Sequence, residues 1–283
     1  MKIESLEEAP FDLIYNAFSS AFDDYEVKLN KQQLTKMLKR RGFDPGLSFA
    51  FFDNQKIVSF ILNAVGNFRG IATAYDAGTG TLKEYRGKGL ATTLFDYSIP
   101  FLRKRNISRY LLEVIQNNIG AVSVYKNVGF SVTREFSYYV REKSKLTSVE
   151  NVTGEFDLRK VGELNQTADP SLFWDFYPSW QNGYDAIERD PERFEIIGAY
   201  DGQTLTGYCV HEPESGDITQ IAVNKNYRRK KIATNLFNAA VSNSSSNTIR
   251  VINTETSSHA INDFLISVGM EKRGKQFEMI KNI

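Results

Sequence analysis

Apolar positions recur along this chain at spacings that divide it into short elements. Residues 1–7 predict a brief first strand. Phe11, Ile14, Tyr15, Phe18 and Phe22 fall at helical spacing, and Leu29, Leu34, Met37 and Leu38 predict a second helix ending near Gly42. Leu47 to Phe52 and Lys56 to Val65 read as two strands joined by a turn at Asp53-Asn54-Gln55. Ile71-Ala72-Thr73-Ala74-Tyr75 is β-branched and aromatic, as a strand requires. Leu90, Leu94, Tyr97 and Phe101 then form one face of a helix that runs to about Arg105, and Pro100 is expected to bend or interrupt it. Tyr110 to Ile115 is an apolar run typical of a buried strand. Ala121 to Asn127 predicts a short helix stopped by Gly129, and Ser131 to Val140 returns as strand.

The polar stretch 141–154 is the best linker candidate, and after it the pattern begins again. Leu172, Phe173, Phe176 and Tyr177 predict a helix, with Trp174 and Trp180 in the core or lining a cleft. Asp201-Gly202-Gln203-Thr204 parallels Asp53-Asn54-Gln55-Lys56, Tyr227-Arg228 parallels Tyr85-Arg86, and Val268-Gly269 parallels Val128-Gly129. Three landmarks in the same order indicate an internal duplication. The expected copies are residues 1–143 and 150–283.

Composition narrows the class. The chain has 283 residues, 41% hydrophobic and 24% charged, which suits a globular α/β protein of two domains. A net charge of +1 leads us to expect no nucleic-acid partner. With one cysteine, Cys209, and two histidines, His211 and His259, no disulfide and no Cys/His metal site is expected. Neither histidine has a partner at catalytic spacing, and both are expected at the surface. Met1 to Pro10 does not read as a signal peptide, and no run reaches the ~20 apolar residues of a membrane helix. The expectation is a soluble, cytoplasmic protein.

The chemistry concentrates between the strand ending at Thr81-Leu82 and the helix beginning near Leu90. Arg86, Gly87, Lys88, Gly89, Leu90, Ala91 and Thr92 make a basic glycine turn running into a helix N-terminus, where backbone N–H groups point outward at the positive end of the dipole. Gly87 and Gly89 remove side chains that would hold a ligand off that backbone. The turn reads as a phosphate or pyrophosphate site. It is no Walker loop, since position 82 is Leu. It is no dinucleotide fingerprint either, since position 92 is Thr.

About thirty residues after Arg86-x-x-Gly89-x-Ala91 comes the string Asn118-x-x-Ala121-x-x-x-Tyr125-x-x-x-Gly129-Phe130. Together these resemble the GNAT superfamily of acyl-CoA N-acyltransferases, well over residues 70–131 and more loosely elsewhere. The resemblance implies a tandem duplication of a domain whose mixed β-sheet splays open, flanked by helices, with acetyl-CoA as co-substrate in the gap. It places the pyrophosphate on the amides of residues 87–92 and the pantetheine along Thr81 and Leu82. Asn118 would contact the coenzyme arm or cap the following helix.

The implied activity is acetyl transfer by direct attack of an amine, from a small molecule or a protein, on the thioester. That needs a neutral amine, a stabilised oxyanion and a proton for the thiolate. By resemblance Tyr125 is the general acid and Glu113 the base, with Asp76 and Glu84 as weaker candidates. The second copy departs from the pattern. Lys231 replaces Gly89, so a long side chain is expected where pyrophosphate should approach, while Leu265 and Ser258 stand for Tyr125 and Asn118. This copy is expected to be degenerate. The alternatives are an inactive acyl-CoA-binding regulator and a transferase using a larger acyl or aminoacyl donor.

Overall fold

The computed structural model describes residues 1–24, 28–146, 156–162 and 169–283. Of the linker candidate 141–154, residues 147–154 lie outside the described residues. The chain forms two compact units that are not contiguous in sequence. One comprises Met1–Arg134, Tyr184–Arg189 and Phe277–Ile283, and the other Glu135–Gly183 and Asp190–Gln276.

The first unit opens with β1 (Lys2–Ser5), α1 (Phe11–Ala21) and α2 (Lys31–Arg41). Asn30 and Gln33 make a reciprocal capping box at the start of α2, and Gly42 ends it in the left-handed region at φ 86°. β2 (Phe49–Asp53) and β3 (Lys56–Phe68) form a hairpin closed by Asp53 against Lys56, with Asn54 at φ 56° supplying the turn. β4 (Ile71–Thr81) follows, then α3 (Leu90–Lys104), β5 (Arg109–Ile115) and α4 (Ile119–Val128). α3 continues through Pro100 without interruption, so the expected break is absent. Its buried residues Leu94, Phe95 and Leu102 join Tyr110, Val122, Tyr125 and Phe130 in one core. Burying each such side chain contributes about 2 kcal/mol.

Within this sheet the strands run β1-β2-β3-β4-β5, and the strand beside β5 is the C-terminal half of β12 (Glu271–Asn282). Arg134, on the first residues of β6 (Ser131–Glu142), forms a buried two-pronged pair with Glu278 of β12. Met279 is fully buried in the first unit's core. A short helix, α5 (Tyr184–Glu188), packs on α2.

In the second unit the order is β6, β11 (Thr248–Glu255), β10 (Asp217–Val223), β9 (Thr204–Glu212), β8 (Glu195–Asp201) and β7 (Asp157–Val161). The strand beside β11 is the C-terminal part of β6, with Phe136 opposite Glu255 and Glu142 opposite Thr248. Helices α6 (Ile232–Asn243) and α7 (His259–Ser267) complete the unit. Their apolar residues Leu236, Phe237 and Leu265 fill its core.

Two expectations fail here. Residues 172–177 are not a helix: Pro170–Phe173 makes one 3-10 turn, and the backbone extends from Trp174. Four aromatic or apolar side chains at helical spacing come from an irregular segment in which Phe173 is buried while Leu172 and Tyr177 are exposed. His211 is buried and not at the surface, because both faces of the central strand β9 are covered. His259 is exposed.

Candidate active site

Strands β4 and β5 pair in parallel through Thr73–Tyr75 and Arg109–Leu111. Asp76 is the first residue beyond the last pair. A register shift between Leu62 and Asn63 leaves Ala77 as a bulge, which bends β4 at this point. The two strands therefore part from Asp76 onward, and the side chains of a small polar cluster fill the opening.

At its centre Asp76 accepts hydrogen bonds from the Thr79 hydroxyl (2.9 and 3.0 Å) and the Gly78 amide (3.0 Å). The Tyr125 hydroxyl donates to Asp76 Oδ2 at 3.2 Å. Burial raises the Asp76 pKa to about 6, although these bonds and the Arg41 charge all oppose the rise. Arg41 donates to the Ala77 carbonyl at 2.7 Å and lies over the Tyr75 ring. Tyr75 is buried on the same strand and hydrogen-bonded to Glu113. Desolvation, with the Glu113 charge second, holds its hydroxyl well above the ordinary tyrosine range. The Tyr125 ring is fixed edge-on by Phe95 (5.7 Å between centroids) and Phe130 (6.0 Å).

The glycine turn lies at the far end of β4. Gly87 (φ 76°) and Gly89 (φ 72°) both adopt left-handed backbone, and a Cβ at either would meet nothing within 4 Å. The first helical bond of α3 runs from the Thr93 amide to the Gly89 carbonyl (3.0 Å), so the amides of Leu90, Ala91 and Thr92 face out from the helix end. Lys88 lies over the Tyr85 ring, whose hydroxyl donates to Asp53 at 2.7 Å.

Arg86 is committed elsewhere. Its guanidinium donates to the Thr81 carbonyl (3.1 Å), the Ala21 carbonyl (2.9 Å) and Asp24 (3.0 Å), so it ties the strand end to α1. The Thr81 hydroxyl bonds Ser59, and the buried Leu82 donates its amide to Val58. Asn118 caps α4, accepting from the Ala121 amide at 3.2 Å. Glu84 pairs with Lys56 on the exposed surface (3.2 Å), apart from the cluster. Thus Tyr125 bonds Asp76, and Glu113 meets Tyr75, one position earlier on β4. Arg41, Tyr75 and Thr79, which complete the cluster, were not foreseen.

The second unit repeats the frame with different chemistry. A register shift between Ile218 and Gln220 leaves Thr219 as the bulge, and β10 pairs with β11 through Asp217 and Arg250 before the strands part. Arg228 again ties its strand end, to the Val223 carbonyl (3.2 Å) and Asp175 (2.9 Å). Arg229 (φ 65°) and Lys231 (φ 62°) hold the dihedrals that glycines hold in the first unit, so the turn keeps its shape despite its side chains. By position, Ile218 replaces Asp76, Asn253 replaces Glu113 and Leu265 replaces Tyr125.

Among the described residues no group of acidic, histidine or cysteine side chains could hold a metal ion. No described helix is long and apolar enough to cross a membrane.

Comparison with known proteins agrees with this architecture. The chain is 32% identical over 98 residues to N-alpha-acetyltransferase 30 of Schizosaccharomyces pombe, covering 34% of this chain and 65% of that protein. It is 31% identical over 97 residues to N-alpha-acetyltransferase MAK3 of Arabidopsis thaliana, covering 34% and 51%. The matched stretch thus spans between half and two thirds of those relatives. A tandem GNAT protein from the clavulanic acid biosynthesis pathway shares the fold at TM-score 0.75 and 11% identity, over 99% of this chain and 98% of that one. A GCN5-related N-acetyltransferase from Sphaerobacter thermophilus does so at 0.73 and 14%, over 99% and 95%. The family model for the acetyltransferase (GNAT) family matches twice, over residues 11–130 and 161–263. The chain belongs to that family and carries two copies of its domain.

Proposed function

We propose that this protein transfers the acetyl group of acetyl-CoA to an amine, with one catalytic centre, in the copy spanning residues 1–143. The observation that carries the reading is the Tyr125–Asp76 bond where β4 and β5 part, with Glu113 against the adjacent Tyr75, set against Ile218, Leu265 and Asn253 in the copy at 150–283. The likeness to two N-alpha-acetyltransferases makes the α-amine of a peptide or protein the first acceptor to test.

The residues present fit the co-substrate. The open turn at Gly87 and Gly89 lets a pyrophosphate reach the amides of Leu90, Ala91 and Thr92, with Lys88 beside it. The edge of β4 that β5 leaves unpaired between Asp76 and Thr81 would carry an amide-bearing arm, while Leu82 is bonded to Val58 and Tyr85. Asn118 acts here as a helix cap, and Arg86 as a brace of the turn. Acetyl-CoA supplies an activated carbonyl and a thiolate leaving group.

Three side chains then divide the proton work. Glu113, held beside the Tyr75 hydroxyl, takes the proton of the attacking amine. Tyr125 gives its proton to the departing sulfur. Its bond to Asp76 is long at 3.2 Å, so the hydroxyl turns away at little cost, while Phe95 and Phe130 hold the ring. Asp76 is a positioning residue that aims that hydroxyl. The test is Tyr125→Phe, assayed with peptide amines. It should lower kcat roughly 10²-fold with little change in coenzyme affinity. Unchanged turnover would reduce Tyr125 to a packing residue.

A further inference from the structure

The short helix α5 (Tyr184–Glu188) lies inside residues 161–263, the stretch of the second match to the family domain, yet residues 184–189 belong to the first compact unit. α5 packs on α2, with Ala186 and Ile187 buried. Its last bond, from the Arg189 amide to the Asp185 carbonyl (3.1 Å), fixes Arg189 at the helix end.

From there the Arg189 side chain reaches the C-terminal end of α2. Its Nη1 donates to the Arg40 and Arg41 carbonyls (3.3 and 3.4 Å), and its Nη2 donates to the Val65 carbonyl of β3 (3.4 Å). Carbonyls at a helix end need donors and favour a cation, so one guanidinium fork serves the helix and the strand together. The approach is close enough to require glycine. A Cβ on Gly42, which ends α2 at φ 86°, would lie 2.8 Å from Arg189 Nε. The guanidinium is half-buried, and desolvation lowers its pKa against the opposing charge of Asp185.

What projects from that end of α2 is Arg41. Its backbone carbonyl is held by Arg189, while its side chain donates to the Ala77 carbonyl at the β4 bulge and lies over the Tyr75 ring. The Arg41 charge lowers the pKa values of both Tyr75 and Asp76. The other side chains that bear on Asp76 are Tyr125 of α4, Tyr110 of β5, and Tyr75 and Thr79 of its own strand. Asn63 of β3 stands opposite it, and Glu113 of β5 bears on Tyr75. None of these is a cation.

We propose that Arg189 is a positioning residue of the first unit's catalytic centre: by tying the end of α2 to β3 it sets Arg41 against the β4 bulge, so that a residue from the second copy of the domain completes the site of the first. The catalytic part of this proposal rests on the reading of Asp76 and Tyr125 given above. The copy at 150–283 thereby takes part in the reaction without a proton-transferring set of its own.

The test uses the full chain with carbon-labelled aspartate, the Asp76 carboxyl being the resonance that Asp76→Asn lacks. Arg189→Met keeps the apolar stem and removes the fork. The Asp76 titration should move to higher pH in Arg189→Met, and at least as far in Arg41→Met. The double variant should move no further than Arg41→Met alone, because Arg189 acts through Arg41. Arg189→Lys keeps a cation at the helix end without the fork, and should move the titration part of the way. In assays with peptide amines the rising limb of kcat should follow the carboxyl. Arg189→Met should then be roughly 3-fold slower than the parent at pH 5.5 and within ~2-fold of it at pH 8, with KM for acetyl-CoA unchanged. A lower denaturant midpoint with the Asp76 titration in place would make Arg189 a brace of the fold and overturn the proposal. So would shifts that add in the double variant. A carboxyl that moves while neither parent nor variants show a limb in kcat would overturn the catalytic reading of Asp76 and uphold the placement of Arg41 by Arg189.

Discussion

Asp76 is a carboxylate removed from water in the middle of a strand, and burial raises its pKa to about 6 despite four opposing influences. The folded state thus favours the protonated form more than the unfolded chain does. Its contribution to stability is complete below the unfolded pKa near 3.8 and is lost as pH rises through about 6. A difference of that size is worth about 3 kcal/mol. Asp76→Asn keeps an acceptor for Thr79 and Gly78 and removes the titration. Denaturant unfolding at pH 7.5 should therefore find this variant more stable than the parent by up to about that amount, with the gap closing by pH 4. Turnover should respond the other way. The ionised carboxylate is the stronger acceptor for Tyr125, so kcat should rise with pH along a limb near 6 in the parent. That limb should be missing in Asp76→Asn, and its survival there would remove Asp76 from the mechanism. The residue was visible in sequence as a carboxylate inside an apolar, β-branched run, a place aspartate avoids. What sequence could not supply was the bulge at Ala77, which aims Asp76 at Tyr125 across 49 positions of chain. Arg41 and Tyr75 were hidden for the same reason: tertiary contact, and not spacing, brings them in.

At the level of elements, periodicity was a good guide wherever one face of a segment meets a core. α1, α2, α3 and α4 and the hairpin of β2 and β3 follow from it. It misled at 172–177, a 3-10 turn and irregular backbone from which Phe173 alone of the four is buried, and at His211, where a strand covered on both faces shows no alternation. Pro100 is the instructive case within a helix. It removes one backbone bond and crowds the preceding turn, at a cost of about 3 kcal/mol in a helix interior. Still α3 runs on, because Leu94, Phe95 and Leu102 are fully buried on its other face. Pro100 itself is exposed. Pro100→Ala should therefore restore the bond without disturbing the core and raise stability by about 1–3 kcal/mol, read as a higher denaturant midpoint at unchanged slope. A lower midpoint would mean that the core packs against a bend imposed by the proline.

For the whole molecule, the duplication was legible from three matched landmarks, but the compact units do not coincide with contiguous halves of the sequence. The strand that closes the first unit's sheet beside β5 comes from residues 277–283, at the far end of the chain. Hydrophobic pattern assigns a strand to its neighbours in sequence by default, and nothing local in Phe277 to Ile283 marks a longer journey. The consequence can be measured. A fragment of residues 1–143 would lack Met279, which is buried in that unit's core, and would leave Arg134 without Glu278. Removing one partner of a buried ion pair costs about 3–5 kcal/mol, and loss of a buried methionine adds about 2 kcal/mol or more. Together these rival the 5–15 kcal/mol that stabilises a typical domain. Expressed alone, 1–143 should be insoluble or lack a cooperative thermal transition. Adding the peptide 271–283, or co-expressing 150–283, should restore it, because either supplies the missing strand. Glu278→Gln in the intact chain isolates the ion pair: it keeps the shape of the side chain while removing its charge, and should lower stability by about 3 kcal/mol. A fragment 1–143 that melts cooperatively by itself would show that the first unit can close its sheet with its own residues, and that the strand from the chain end is dispensable to its fold.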